Sequence, residues 1–245
     1  MSLDGRVAVV LGATGWIGRA VCRELLDAGA DVAMIARDAE RLAEFRRELA
    51  AGDRALTVVA DVTSPLDLDD ARAATLHHFG HIDLVVVLAG VITGSAFEDG
   101  VPADWAEMID VNLRGVLHAT QILADPLLEG ASAGRTVDLV LFGPVSQEDH
   151  APQFAVFNAV SSAVSQLART LRGEYGARGV RVHLIAPGFR RPDAAEKSSA
   201  ADPRLGRSES AVTPEAMAAV VRLAAELPRG TNLAEVVLLP TGAGS

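Results

Sequence analysis

The stretch Val7–Gly18, V-A-V-V-L-G-A-T-G-W-I-G, restricts the possible folds of this chain more than any other. Val7 to Leu11 is an unbroken apolar run of strand length, the pattern of a parallel strand buried on both faces. Gly12, Gly15 and Gly18 break that run into a tight turn, and Arg19–Ala30 continues with helical spacing. A strand, a glycine-rich turn and a helix start in succession present backbone N–H groups to a pyrophosphate at the helix N-terminus. Glycines also serve close helix–strand packing. The turn therefore predicts a dinucleotide fold and leaves binding as a separate question.

Strands and helices alternate along the rest of the chain, which implies a mostly parallel sheet covered on both faces. Further strands are expected at Asp31–Ala36, Ala55–Ala60, Ile82–Leu88, Val137–Phe142, Val180–Ile185 and Ala234–Leu239. Helices are expected at Arg19–Asp27, Asp38–Ala51, after Ser64-Pro65, from about Ala103 to Leu123, at Phe154–Tyr175 and at Pro214–Glu226. The expectation is one α/β domain over residues 1–245, a Rossmann-like doubly wound parallel sheet of about seven strands. The segment Arg190–Ser210 is polar, with a disordered or lid-like composition.

A net charge of -10 argues against nucleic-acid and anionic-membrane partners, because nothing offsets phosphate repulsion. Cys22 is the only cysteine, which points to a reducing compartment, and the first strand begins too early to follow a signal peptide. A cytoplasmic protein is expected. His77, His78 and His81 have no partners at metal-ligand spacing, so no metal site is expected.

The element order, with G-A-T-G-W-I-G, Asp61-Val62, Leu88-Ala89-Gly90, Asp110-Val111-Asn112 and Ala186-Pro187-Gly188, resembles the short-chain dehydrogenase/reductase family from Arg6 to Gly244. Each motif alone is weak; five in order at family-like spacing are strong. The glycine spacing with Trp16 is similar to the extended branch, whereas length and the other motifs are similar to the compact, oligomeric branch. The resemblance implies a dinucleotide on Gly12, Gly15, Gly18 and Gly90, with Asp61-Val62 at the adenine. Ala36-Arg37 ends the second strand with a basic residue, which favours NADP(H) over NAD(H).

One stretch departs from the family. Its chemistry uses a Tyr and a Lys four residues apart on the helix before the sixth strand. Here the matching positions are Phe157 and Ser161, with no titratable oxygen and no charge. The expected serine after the fifth strand is missing from Leu141-Phe142-Gly143-Pro144, and the nearest is Ser146. Asn112 matches the family's Asn, although satisfying a kinked helix backbone accounts for it without catalysis. Tyr175 is the only tyrosine, 18 residues beyond Phe157 and roughly 27 Å along the same helix. Lys197 is the only lysine. Pro192 replaces a Thr that contacts the carboxamide, and Leu88 replaces an Asn.

Three readings follow. In the first, the chain is a non-catalytic structural subunit of a hetero-oligomeric alcohol or hydroxyacyl-CoA type dehydrogenase. It binds no cofactor tightly, NADP(H) if any, and pairs with an active homologue as a heterodimer or heterotetramer. Two helices carry the apolar stripes of such assemblies: Trp105, Met108, Ile109 and Leu113 on one, and Phe157, Val160, Val164, Leu167 and Leu171 on the other. In the second, the chain is an active NADP(H)-dependent carbonyl reductase whose substitute acid is His150, beside Glu148 and Asp149. In the third, it senses NADP(H) without turnover.

Overall fold

The computed structural model describes residues 2–143, 152–187 and 212–239. Seven strands form one parallel sheet in the order β3-β2-β1-β4-β5-β6-β7. They are β1 (Val7–Leu11), β2 (Asp31–Ala36), β3 (Ala55–Val59), β4 (Leu84–Val87), β5 (Val137–Phe142), β6 (Val180–Pro187) and β7 (Glu235–Leu238). β1 pairs with β2 on one side and β4 on the other, so the strand order reverses beside the glycine turn. In open α/β sheets ligands bind beyond the strand C-termini at such a switch point.

Helices cover both faces. One face packs against α3 (Pro65–Phe79), α5 (Gly115–Ile122), α6 (Ala124–Ser132) and α7 (Ala155–Gly176) through Val9, Val85, Leu139 and Val182. The other packs against α1 (Trp16–Asp27), α2 (Ala39–Leu49) and α8 (Pro214–Glu226) through Val10, Val86, Val140 and Ile185. Alternate residues of the same strands thus feed two cores, which is why β1 and β4 read as continuous apolar runs.

Local chemistry sets the helix starts. The Asp38 side chain accepts the Arg41 N–H at 3.0 Å, so Asp38 is the N-cap of α2 and lies outside the helix. Ser64 caps α3 with Pro65 in the first turn. The Asp61 amide and the Ser64 hydroxyl hold the Asp67 carboxyl below the usual carboxylate range.

The single helix expected over 103–123 is interrupted. It forms α4 (Pro102–Ile109), a π-helical turn at Asp110–Arg114, and α5. α6 follows at Ala124–Ser132, where the sequence suggested no helix; Pro126 lies in its first turn, where a missing N–H costs nothing. The apolar stripes are also not all core: Ile109 is exposed, whereas Met108, Val160 and Val164 are buried. No helix among the described residues is long and apolar enough to cross a membrane.

Candidate functional site

The glycine turn closes over the end of β1 through hydrogen bonds from the Gly12 and Ala13 amides to the Ile35 carbonyl, at 2.9 and 3.1 Å. Gly12 has φ +83°, and a Cβ there would lie 2.6 Å from the Ala89 nitrogen, so β4's exit loop lies directly on the turn. A Cβ on Gly18 would lie 2.2 Å from the Gly12 carbonyl oxygen, which lets α1 pack against the turn. Gly15 differs: it is exposed, has ordinary φ, and only the Gly12 carbonyl comes near, at 3.2 Å. It is the N-cap of α1, and no side chain caps that helix or places an acid in its first turn. The cradle therefore suits an anionic group.

Beyond the ends of β2 and β3, Arg37 is mostly exposed, with Nη1 3.9 Å from the Asp61 carboxylate. Asp61 Oδ1 accepts from both the amide and the hydroxyl of Thr63, each at 2.8 Å, which locks the loop after β3. Val62 beside it is buried. Sequence reasoning missed Arg41, whose Nη2 donates to the Thr14 carbonyl at 2.9 Å and ties α2 to the glycine turn. Its spacing from Arg37, one helical turn, was the available signal.

At the other end, Asn112 lies in the π-helical turn, a common location for functional side chains. Its Oδ1 accepts the Val91 N–H at 2.8 Å and its Nδ2 donates to the Val91 carbonyl at 2.6 Å. Asn112 thus clasps the loop after β4 rather than its own helix backbone. Gly90 lies against it, with room for a Cβ only 3.3 Å from Asn112 Oδ1. A second clasp crosses from this loop to the start of α7, where the Ser95 amide donates to the Gln153 carbonyl at 2.8 Å. Gln153 has φ +74°, a strained value for a side-chain-bearing residue and a feature the sequence did not announce.

α7 brings Phe157 and Ser161 one turn apart. Phe157 is partly buried and Ser161 is buried, its carbonyl accepting from Ser165 Oγ at 3.1 Å. Neither side chain donates a proton near neutral pH or carries charge. At the end of β5, a Cβ on Gly143 would lie 2.6 Å from Ser165 Oγ and 2.9 Å from Leu184 Cδ1, so a serine there fits only if those side chains shift. Ser146, Glu148, Asp149, His150, Gly188, Pro192 and Lys197 lie outside the described residues. Tyr175 lines a groove of about 370 Å³ with Leu117, Thr120, Asp125 and Arg178, away from the site; burial, then Glu174, pushes its phenol above the ordinary range.

A short chain dehydrogenase family model matches residues 6–203. The chain belongs to the short-chain dehydrogenase family. An uncharacterised oxidoreductase of Staphylococcus epidermidis is 36% identical over 184 residues, 75% of this chain and 77% of that protein. Another from Staphylococcus haemolyticus is 29% identical over 238 residues, 97% of this chain and 98% of that protein. Among solved structures, a metagenomic short-chain oxidoreductase in complex with NADP has a TM-score of 0.82 and 28% identity, covering 98% of this chain and 99% of that one. A 3-ketoacyl-(acyl-carrier-protein) reductase from Brucella melitensis complexed with NADH has a TM-score of 0.83 at 23% identity, covering 96% and 97%. For this short-chain dehydrogenase the seven-stranded sheet is thus the family fold.

Proposed function

We propose that this chain is a non-catalytic subunit of a hetero-oligomeric short-chain dehydrogenase, paired with an active homologue. The observation that supports the reading is the pair Phe157 and Ser161, one turn apart on α7, which the spacing to Ala186-Pro187-Gly188 matches to the family's Tyr and Lys. General acid–base groups are worth about 10²–10⁴ in rate, and members of such a unit fail together.

The dinucleotide divides between two halves. Gly12, Gly15 and Gly18 suit the pyrophosphate, and Arg37, Arg41, Asp61 and Val62 surround the place for an NADP(H) adenosine. When bound, a nicotinamide supplies or accepts hydride. Ser161 offers its ribose no cationic clamp, and Phe157 offers a carbonyl substrate no proton. Binding is therefore weak and without turnover. The intact glycine turn equally favours a sensing role, separated from the subunit role by whether a partner chain is present.

Two exposed apolar regions support a partner. The α5–α7 groove holds Leu117 at 44% exposure, and it holds Thr120 Oγ1, buried without a hydrogen-bond partner among the described residues. The edge strand β7 leaves Val237 exposed, with Leu239 exposed just beyond it.

Restoring Phe157→Tyr together with Ser161→Lys tests the extent of the loss. NADPH oxidation with carbonyl substrates is expected to stay at background in this double variant, because Gly143 brings no hydroxyl and Leu88 remains. Robust turnover would show that the site is otherwise intact and would overturn the reading.

A further inference from the structure

On the face covered by α8, β5 and β6 carry charged side chains where their neighbours are apolar. Asp138 and His183 have 0% exposure and Arg181 has 4%. Asp138 stands opposite Arg181 in the ladder, and His183 follows two residues on, on the same face. The carboxylate of Asp138 accepts four hydrogen bonds: Arg181 Nε at 2.6 Å and Nη2 at 2.9 Å, Arg6 Nη2 at 2.7 Å, and His183 Nε2 at 2.8 Å. The other ring nitrogen, His183 Nδ1, lies 2.9 Å from the Leu233 carbonyl oxygen.

Both nitrogens of His183 therefore face oxygens that can only accept. A neutral imidazole carries hydrogen on one nitrogen, so either tautomer would set a lone pair against an oxygen at hydrogen-bond distance in a site without water's screening. Two such contacts need two N–H groups. We infer that His183 is a buried imidazolium latch: its Nε2–H and Nδ1–H tie Asp138 to the Leu233 carbonyl and so hold the segment that leads into edge strand β7.

The surrounding charges fit a buried cation. Burial would raise the Asp138 carboxyl, but hydrogen bonds from His183 and Arg181 and the charge of Arg6 outweigh it and hold the group below the usual carboxylate range. The two arginines are balanced in turn by carbonyls at and beyond the α8 C-terminus. Arg6 Nη1 donates to Ala225 O at 2.7 Å, and Arg181 Nη1 to Leu227 O at 2.6 Å. From the edge, Arg169 pairs with Glu235 at 2.7 Å, and Arg172 donates to the Ala234 carbonyl at 2.5 Å. β7 itself has four residues and one neighbour, so its local opening is easy and sensitive to one lost bond.

The device is independent of dinucleotide binding. Nitrogen NMR of the wild-type protein reads the protonation of both ring nitrogens directly, and hydrogen exchange reads the latch. Both His183 nitrogens are expected to carry hydrogen in the folded protein. Protection of the 235–238 amides, corrected for intrinsic exchange, is expected to fall about tenfold in His183→Gln, whose side chain cannot donate at both ends. A His183 nitrogen bare in the folded protein overturns the latch, as does protection at 235–238 that is unchanged in His183→Gln.

Discussion

Replacing Asp138 by alanine is expected to cost about 3–5 kcal/mol of folding stability, because breaking a buried ion pair leaves its cations uncompensated. The carboxylate is the common acceptor for Arg6, Arg181 and His183, all converging at 2.6–2.9 Å. Against a total of about 5–15 kcal/mol for a domain, the variant retains little margin, and its urea midpoint should fall sharply. The pH dependence has a definite sign. The Asp138 carboxyl titrates lower when folded than when unfolded, so its contribution is complete above the unfolded value and is lost as pH falls through the folded one. The wild-type protein should therefore lose this stability in acid, below the usual carboxylate range, and Asp138→Ala should lack that part of the acid response. A midpoint within error of wild type would show that the cluster is solvated.

Gly12→Ala is expected to destabilise by about 3 kcal/mol or more, combining overpacking with a left-handed backbone that a Cβ resists. The new atom would meet backbone at Ala89 and Leu88, at 2.6 and 2.8 Å, and neither can swing aside as a side-chain end would. Gly15→Ala is the informative contrast, since its Cβ meets nothing closer than 3.2 Å. That change should leave the urea midpoint within about 1 kcal/mol of wild type, the ordinary range for an N-cap change. If phosphate lies on this turn, Gly15→Ala shows itself in NADPH binding instead. Equal destabilisation by both variants would contradict this division of roles.

The strands were legible because two cores draw on alternate residues, making β1 and β4 uninterrupted apolar runs. The glycine turn was legible because its residues are contiguous. The interruption of the long helix at Asp110–Arg114 was not, since a π-helical turn leaves the apolar spacing nearly intact, and the Asn112 clasp on Val91 within it spans 21 residues. The Asp138 cluster joins residues 43 to 132 apart and could not be assembled from local pattern. A faint signal existed: one acid in V-D-L-V-L-F, and Arg and His alternating in V-R-V-H-L-I. The positions of Phe157 and Ser161 on one helix followed directly from the spacing to Ala186-Pro187-Gly188. The clasp of Ser95 on Gln153 depends on a left-handed glutamine, which no residue preference announces.

In the proposed assembly the chemistry resides on another chain. Native mass spectrometry of the protein purified from its source without denaturation tests this most directly. The expected result is a mixed oligomer containing this chain and a second of similar size whose sequence retains the Tyr and Lys that Phe157 and Ser161 replace. A homo-oligomer of this chain alone would contradict it.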